Sequence, residues 1–100
     1  MKEDLLKIIN RYGVMPQLKY FQSEVFELNE AIINYENSLK EPYAVNMLPL
    51  KEHIAEEIGD VRFMLRQFQE FYGITDEEID EVEIFKGKRQ LERIGKEDEK

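Results

Sequence analysis

The stretch from Pro16 to Tyr35, PQLKYFQSEVFELNEAIINY, decides the fold class. Within it Leu18, Phe21, Val25, Leu28, Ile32 and Tyr35 recur at alternating spacings of three and four, which is the period of an amphipathic α-helix presenting one apolar seam. Proline suits the first turn of a helix, where its missing N–H costs no hydrogen bond. The pattern returns in residues 49–72, PLKEHIAEEIGDVRFMLRQFQEFY, where Ile54, Ile58, Val61, Leu65, Phe68 and Tyr72 keep the same spacing before Gly73. Two long helices joined by one connection predict an antiparallel hairpin, and hence an all-α helical bundle.

Around this pair, residues 3–12 carry Leu5, Ile8, Ile9 and Tyr12 on one side of a short helix, closed by Gly13. Residues 37–48, NSLKEPYAVNML, include Asn37, Ser38 and Pro42 without a sustained period and read as a connection, with room for one short helical turn. Thr75 followed by Glu78 is a capping-box pattern that opens a fourth helix through Ile79, Val82, Ile84 and Phe85. Gly87 can either interrupt that helix or be carried through it. A single domain over residues 1–94 and a charged, frayed tail over 95–100 complete the expected organisation.

One hundred residues hold one domain, and 42% apolar with 36% charged residues fits folded helices that each hide one face. So short a chain exposes much of its surface, and its apolar seams are long, so a homo-oligomer is expected. The formal charge of -8 repels nucleic-acid backbones, so no nucleic-acid polymer is expected as a partner. A small phosphorylated ligand stays open, because divalent cations reverse the local sign of a carboxylate-rich pocket. With no cysteine, disulfides and thiolate metal sites are excluded. No run approaches the 18 apolar residues of a membrane span, and the N-terminal MKEDLLKIINRYG lacks a secretory pattern, so no membrane partner and a cytoplasmic location are expected.

Placed in one heptad frame, Glu24 and Glu27 occupy the same two flank positions on the second helix as Glu57 and Asp60 on the third. Each pair is spaced i,i+3 and points to one side, about 100° round from the seam centre on ideal geometry. Ser38, the expected helix end, stands eleven positions after Glu27, and Asp60 eleven positions after Pro49, so an antiparallel hairpin brings the pairs level. Four carboxylates at one level repel unless cations neutralise them, and oxygen-only ligation suits magnesium, with manganese as the alternative. The bland reading is four solvated surface charges, which is what most acidic pairs on helices are.

The strings Glu24-Val25-Phe26-Glu27-Leu28 and Glu56-Glu57-Ile58-Gly59-Asp60-Val61 resemble the E-x-x-E and E-x-x-D motifs of the MazG-like all-α nucleoside triphosphate pyrophosphohydrolases, a superfamily that also includes phosphoribosyl-ATP pyrophosphohydrolases and dimeric dUTPases. The likeness extends over roughly residues 16–94 and includes a later basic segment, Lys86, Arg89 and Arg93. Ser23 stands where many members carry a second glutamate, and 29 residues separate Glu27 from Glu57, a longer interval than is usual.

The resemblance implies a homodimer or homotetramer that hydrolyses a nucleoside triphosphate to the monophosphate and pyrophosphate, with Glu24, Glu27, Glu57 and Asp60 as magnesium ligands. In such chemistry a carboxylate accepts a proton as water attacks phosphorus; Glu27 is the first candidate, with Glu56 and Glu30 as alternatives.

Gln17 and Tyr20 lie on the stripe of Glu24 and read as base or sugar contacts, although Tyr20 also reads as an ordinary boundary aromatic. His53, one turn before Glu57, reads as a substrate contact or a surface group. Lys86, Arg89 and Arg93 read either as phosphate clasps, from the last helix or from a neighbouring subunit, or as solvated cations.

Two further functions compete with hydrolysis. A non-catalytic helical interaction module would use the same acidic stripe for partner binding. A ferritin-like di-iron protein needs E-x-x-H pairs, and the residue three positions before His53 is Leu50.

Overall fold

The computed structural model describes residues 1–41 and 46–99; Pro42, within the expected connection, lies outside them. It is all-helical, with α1 at Lys2–Tyr12, α2 at Val14–Ser38, α3 at Leu48–Phe71 and α4 at Asp76–Asp98, and no strand among the described residues.

Each boundary has a local cause. Gly13 adopts φ 91°, a backbone that L side chains rarely enter, and its N–H donates to the Ile9 carbonyl at 2.7 Å. The chain thereby leaves α1 and re-enters helix at Val14, two residues before the proline, which still falls in the first turn. Pro49 sits likewise near the start of α3, where the Leu48 N–H donates to the Asn46 side chain at 3.1 Å. Gly73, at φ 66°, ends α3 with the Ile74 N–H donating to the Gln69 carbonyl.

Thr75 then caps α4 reciprocally: the Glu78 N–H donates to the Thr75 hydroxyl oxygen, and the Thr75 N–H to the Glu78 carboxylate, both at 3.2 Å. Asp76, Glu77 and Glu78 in that first turn complement the positive helix end. α4 continues through Gly87 to Asp98, so most of the segment expected as a frayed tail is helical.

The interior is narrow. α2 packs along α3, and α1 lies against both, with Leu5, Ile9, Ala31 and Met64 as the buried apolar residues. Phe21 and Phe68 meet edge to face at 5.9 Å, Gln17 meets Gln67, and Glu24 meets Glu57 and Asp60.

The stripe facing inward on α2 is Gln17, Phe21, Glu24, Leu28 and Ala31, one residue round from the apolar seam at three of its positions. On α3 it is Ile54, Glu57, Val61, Met64 and Gln67. Glu24 and Glu57 are therefore part of the interior rather than its flank, while Glu27 and Asp60 stay exposed. Val25, Ile32, Ile58 and Leu65, the seam members displaced by this rotation, stay at least one-third exposed.

Gln69 Nε2 on α3 donates to Asp76 Oδ1 at 2.7 Å in the first turn of α4; beyond that link α4 has no packed interface with another helix among the described residues, and it buries none of its own. The radius of gyration is 17.9 Å, against about 13 Å for a compact chain of this length.

Candidate metal centre

Glu24 is 6% exposed and Glu57 7% exposed, on facing helices. With the exposed Asp60, one turn beyond Glu57, each offers a carboxylate oxygen within 4.8 Å of the other two. The Oε2 atoms of Glu24 and Glu57 are buried with no hydrogen-bond partner. Buried polar atoms normally find a partner, and an unpaired ionised carboxylate is among the costliest groups to desolvate. Two such oxygens aimed into one acidic cluster fit an all-oxygen cation site, whose charge would satisfy both.

Electrostatics carries the same signature. The Glu24 carboxyl is held above the usual carboxylate range, first by burial and then by the charges of Glu27, Asp60 and Glu57. Glu57 is raised as well, by burial first and by Glu27 and Asp60 next, with His53 acting in the opposite direction. The Tyr20 phenol is raised chiefly by the neighbouring Glu24 charge, so it keeps its proton.

Glu27 is exposed and stands outside the close trio, yet near enough to act on both buried glutamates. His53 lies on the other side of Glu57, its Nε2 3.9 Å from Glu57 Oε1 and its Nδ1 3.7 Å from Glu56 Oε2. Glu30 is exposed one turn beyond Glu27 on α2. The Ser23 hydroxyl is exposed and donates to the Lys19 carbonyl of its own helix at 3.4 Å.

A cavity of about 630 Å³ opens beside the trio, with Glu24 and Asp60 among its lining residues. Gln17 and Tyr20 line it, as their stripe position predicts, together with Tyr12, Phe63, Met64 and Gln67. Gln67 escaped the sequence reading because glutamine in a helix is ordinarily a surface residue. The available signal was its place seven residues after Asp60, on the stripe that Glu57 and Met64 also occupy.

Lys86, Arg89 and Arg93 are not brought to this centre. They lie exposed on α4, and the Arg89 guanidinium stacks over the Phe85 ring of the same helix at 5.7 Å.

No helix among the described residues is long and apolar enough to cross a membrane. No protein-family model, functionally characterised protein or solved structure matches the chain.

Proposed function

We propose that the protein is a magnesium-dependent nucleoside triphosphate pyrophosphohydrolase, as the MazG-like resemblance implies. The observation carrying this reading is the pair of buried, partnerless oxygens of Glu24 and Glu57 beside Asp60, at the rim of a cavity large enough for a nucleoside.

Glu24, Glu57 and Asp60 would hold the ion, with manganese as an alternative. Held by these residues, magnesium would supply neutralisation of phosphate charge and a more acidic water. Glu27, next to the trio but outside it, accepts the proton of the attacking water. A P–O bond forms to that water as the α–β anhydride bond breaks, giving nucleoside monophosphate and pyrophosphate. Glu56 and Glu30, both exposed, are the alternative bases. His53, which does not line the cavity, stays a candidate substrate contact through its place beside Glu57.

The assembly proposed is an antiparallel α2–α3 hairpin repeated in a homodimer or homotetramer. Gln17 and Phe21 meet Gln67 and Phe68, whereas Glu24, later on α2, meets Asp60 and Glu57, earlier on α3, and this reversal supports the hairpin. Support for the oligomer comes from α4, which buries none of its residues and leaves Ile79, Val82, Ile84, Phe85, Leu91 and Ile94 exposed. A second copy covering α4 and the Val25, Ile32, Ile58 and Leu65 edge would also give Lys86, Arg89 and Arg93 a route to substrate phosphates.

The test is pyrophosphate release from a panel of ribo- and deoxyribonucleoside triphosphates, with and without magnesium. Magnesium-dependent release with matching monophosphate supports the enzyme. A folded protein that releases neither pyrophosphate nor orthophosphate from any of them rejects it in favour of the non-catalytic interaction module.

A further inference from the structure

Apart from the carboxylates of Glu24 and Asp60 and the amide of Gln17, the cavity has apolar walls and one buried polar side chain, Gln67. Tyr12, Tyr20 and Phe63 supply aromatic surface, and Gln67 is fully buried beneath them. Its Oε1 accepts from Gln17 Nε2 at 2.8 Å, while its own Nε2 reaches only the Met64 sulfur, at 3.5 Å. A buried glutamine is costly unless satisfied, and here its satisfaction fixes a second residue in place.

The consequence falls on Gln17. An amide that rotates freely offers a ligand either edge. With one N–H committed to Gln67, Gln17 keeps its Oε1 acceptor and one remaining N–H, and both belong to a half-buried side chain lining the cavity. An adjacent acceptor and donor pair with the complementary edge of a planar heterocycle, and aromatic walls stack on its faces.

We infer that the Gln17–Gln67 amide pair reads the nucleobase: Gln17 touches the ring and Gln67, on the facing helix, is the positioning residue that sets its orientation. This rests on the nucleotide reading of the carboxylate trio for the identity of the ligand. It goes beyond that reading in assigning base selection to a device spanning α2 and α3.

The test uses no metal and no turnover in its first arm. Side-chain amide resonances of Gln17 and Gln67 are followed by NMR while the adenine, guanine, cytosine and uracil ribonucleoside monophosphates, and ribose 5-phosphate as the base-free control, are added to the magnesium-free protein. At least one nucleotide is expected to shift the Gln17 amide, and ribose 5-phosphate is not. In Gln67→Met, which keeps volume and loses the acceptor, the same nucleotide should bind roughly tenfold more weakly, the size of one lost hydrogen bond to an oriented group. Should that variant not fold, the half-buried Gln17→Met serves with the same expectation.

The second arm compares triphosphates with magnesium. Gln67→Met should raise KM for the preferred nucleotide, leave kcat within about twofold, and narrow the spread between bases. Ribose 5-phosphate binding as well as every nucleotide, or a spread between bases untouched by Gln67→Met, overturns the amide pair. Nucleotide binding that shifts Gln17 without any hydrolysis leaves the pair standing and rejects the hydrolase, whereas hydrolysis indifferent to the base does the reverse.

Discussion

Glu24 on α2 and Glu57 on α3 face one another across the helix pair, each with one carboxylate oxygen buried and without a hydrogen-bond partner. Like charges placed so close, away from water, oppose folding in the absence of a counter-ion.

Removing one charge at a time separates activity from stability. Glu57→Gln and Asp60→Asn change volume little and each delete a ligand. Pyrophosphate release should fall roughly 100-fold or more, since even outer-shell partners of a metal cost about 10–100-fold. Metal-free thermal stability should stay level or rise. Full activity in both variants would reject their catalytic role, and lost activity accompanied by lost folding would leave a structural role as the explanation.

The raised Glu24 and Glu57 carboxyls set the sign of a pH effect. Each holds its proton in the folded chain at a pH where the unfolded chain, titrating in the ordinary range near about 4.3, has released it. Their contribution to stability is fully present below that range and is lost as pH rises through the folded values. Thermal unfolding of the metal-free protein should therefore show wild type losing ground to Glu24→Gln as pH climbs through and above the carboxylate range, then a constant gap. A gap that closes with rising pH contradicts this account.

The four helices and their stops were legible in the residues because periodicity, proline, glycine and the Thr75 cap act locally. Which face turns inward was not legible. A seam of Leu18, Val25, Ile32, Ile58 and Leu65 is the natural interior of a lone helix pair, yet the packing turns both helices so that Glu24, Ala31, Glu57 and Met64 lie inside. Periodicity marks an apolar stripe without saying which neighbour covers it. Glu24, Glu57 and Asp60 were found by spacing, while Gln67 depended on that rotation and was missed.

Assembly should follow from the surfaces left uncovered. Light scattering at micromolar concentration should give a mass of at least twice the 12.0 kDa chain. Phe85→Glu, on the helix that buries none of its residues, should lower it. A monodisperse monomer in the wild type would remove the proposed role of α4 between copies.

The Thr75 cap is predicted to matter for α4 alone. Thr75→Ala removes the acceptor for the Glu78 N–H and should cost about 1 kcal/mol of local stability. Hydrogen exchange should accelerate in the first turn of α4 and remain unchanged at Met64 and Gln67. Equal acceleration in both places would mean that α4 is coupled to the helix interior after all.

The central claim, that Glu24, Glu57 and Asp60 form a divalent-cation site, is met most directly by manganese titration, with bound ion followed through loss of the free-ion EPR signal. Saturable uptake is predicted for the wild type, competed by magnesium, and weakened at least about tenfold in Glu24→Gln and Glu57→Gln while both remain folded. A wild-type protein that takes up no manganese, or variants that take it up undiminished, would contradict the account.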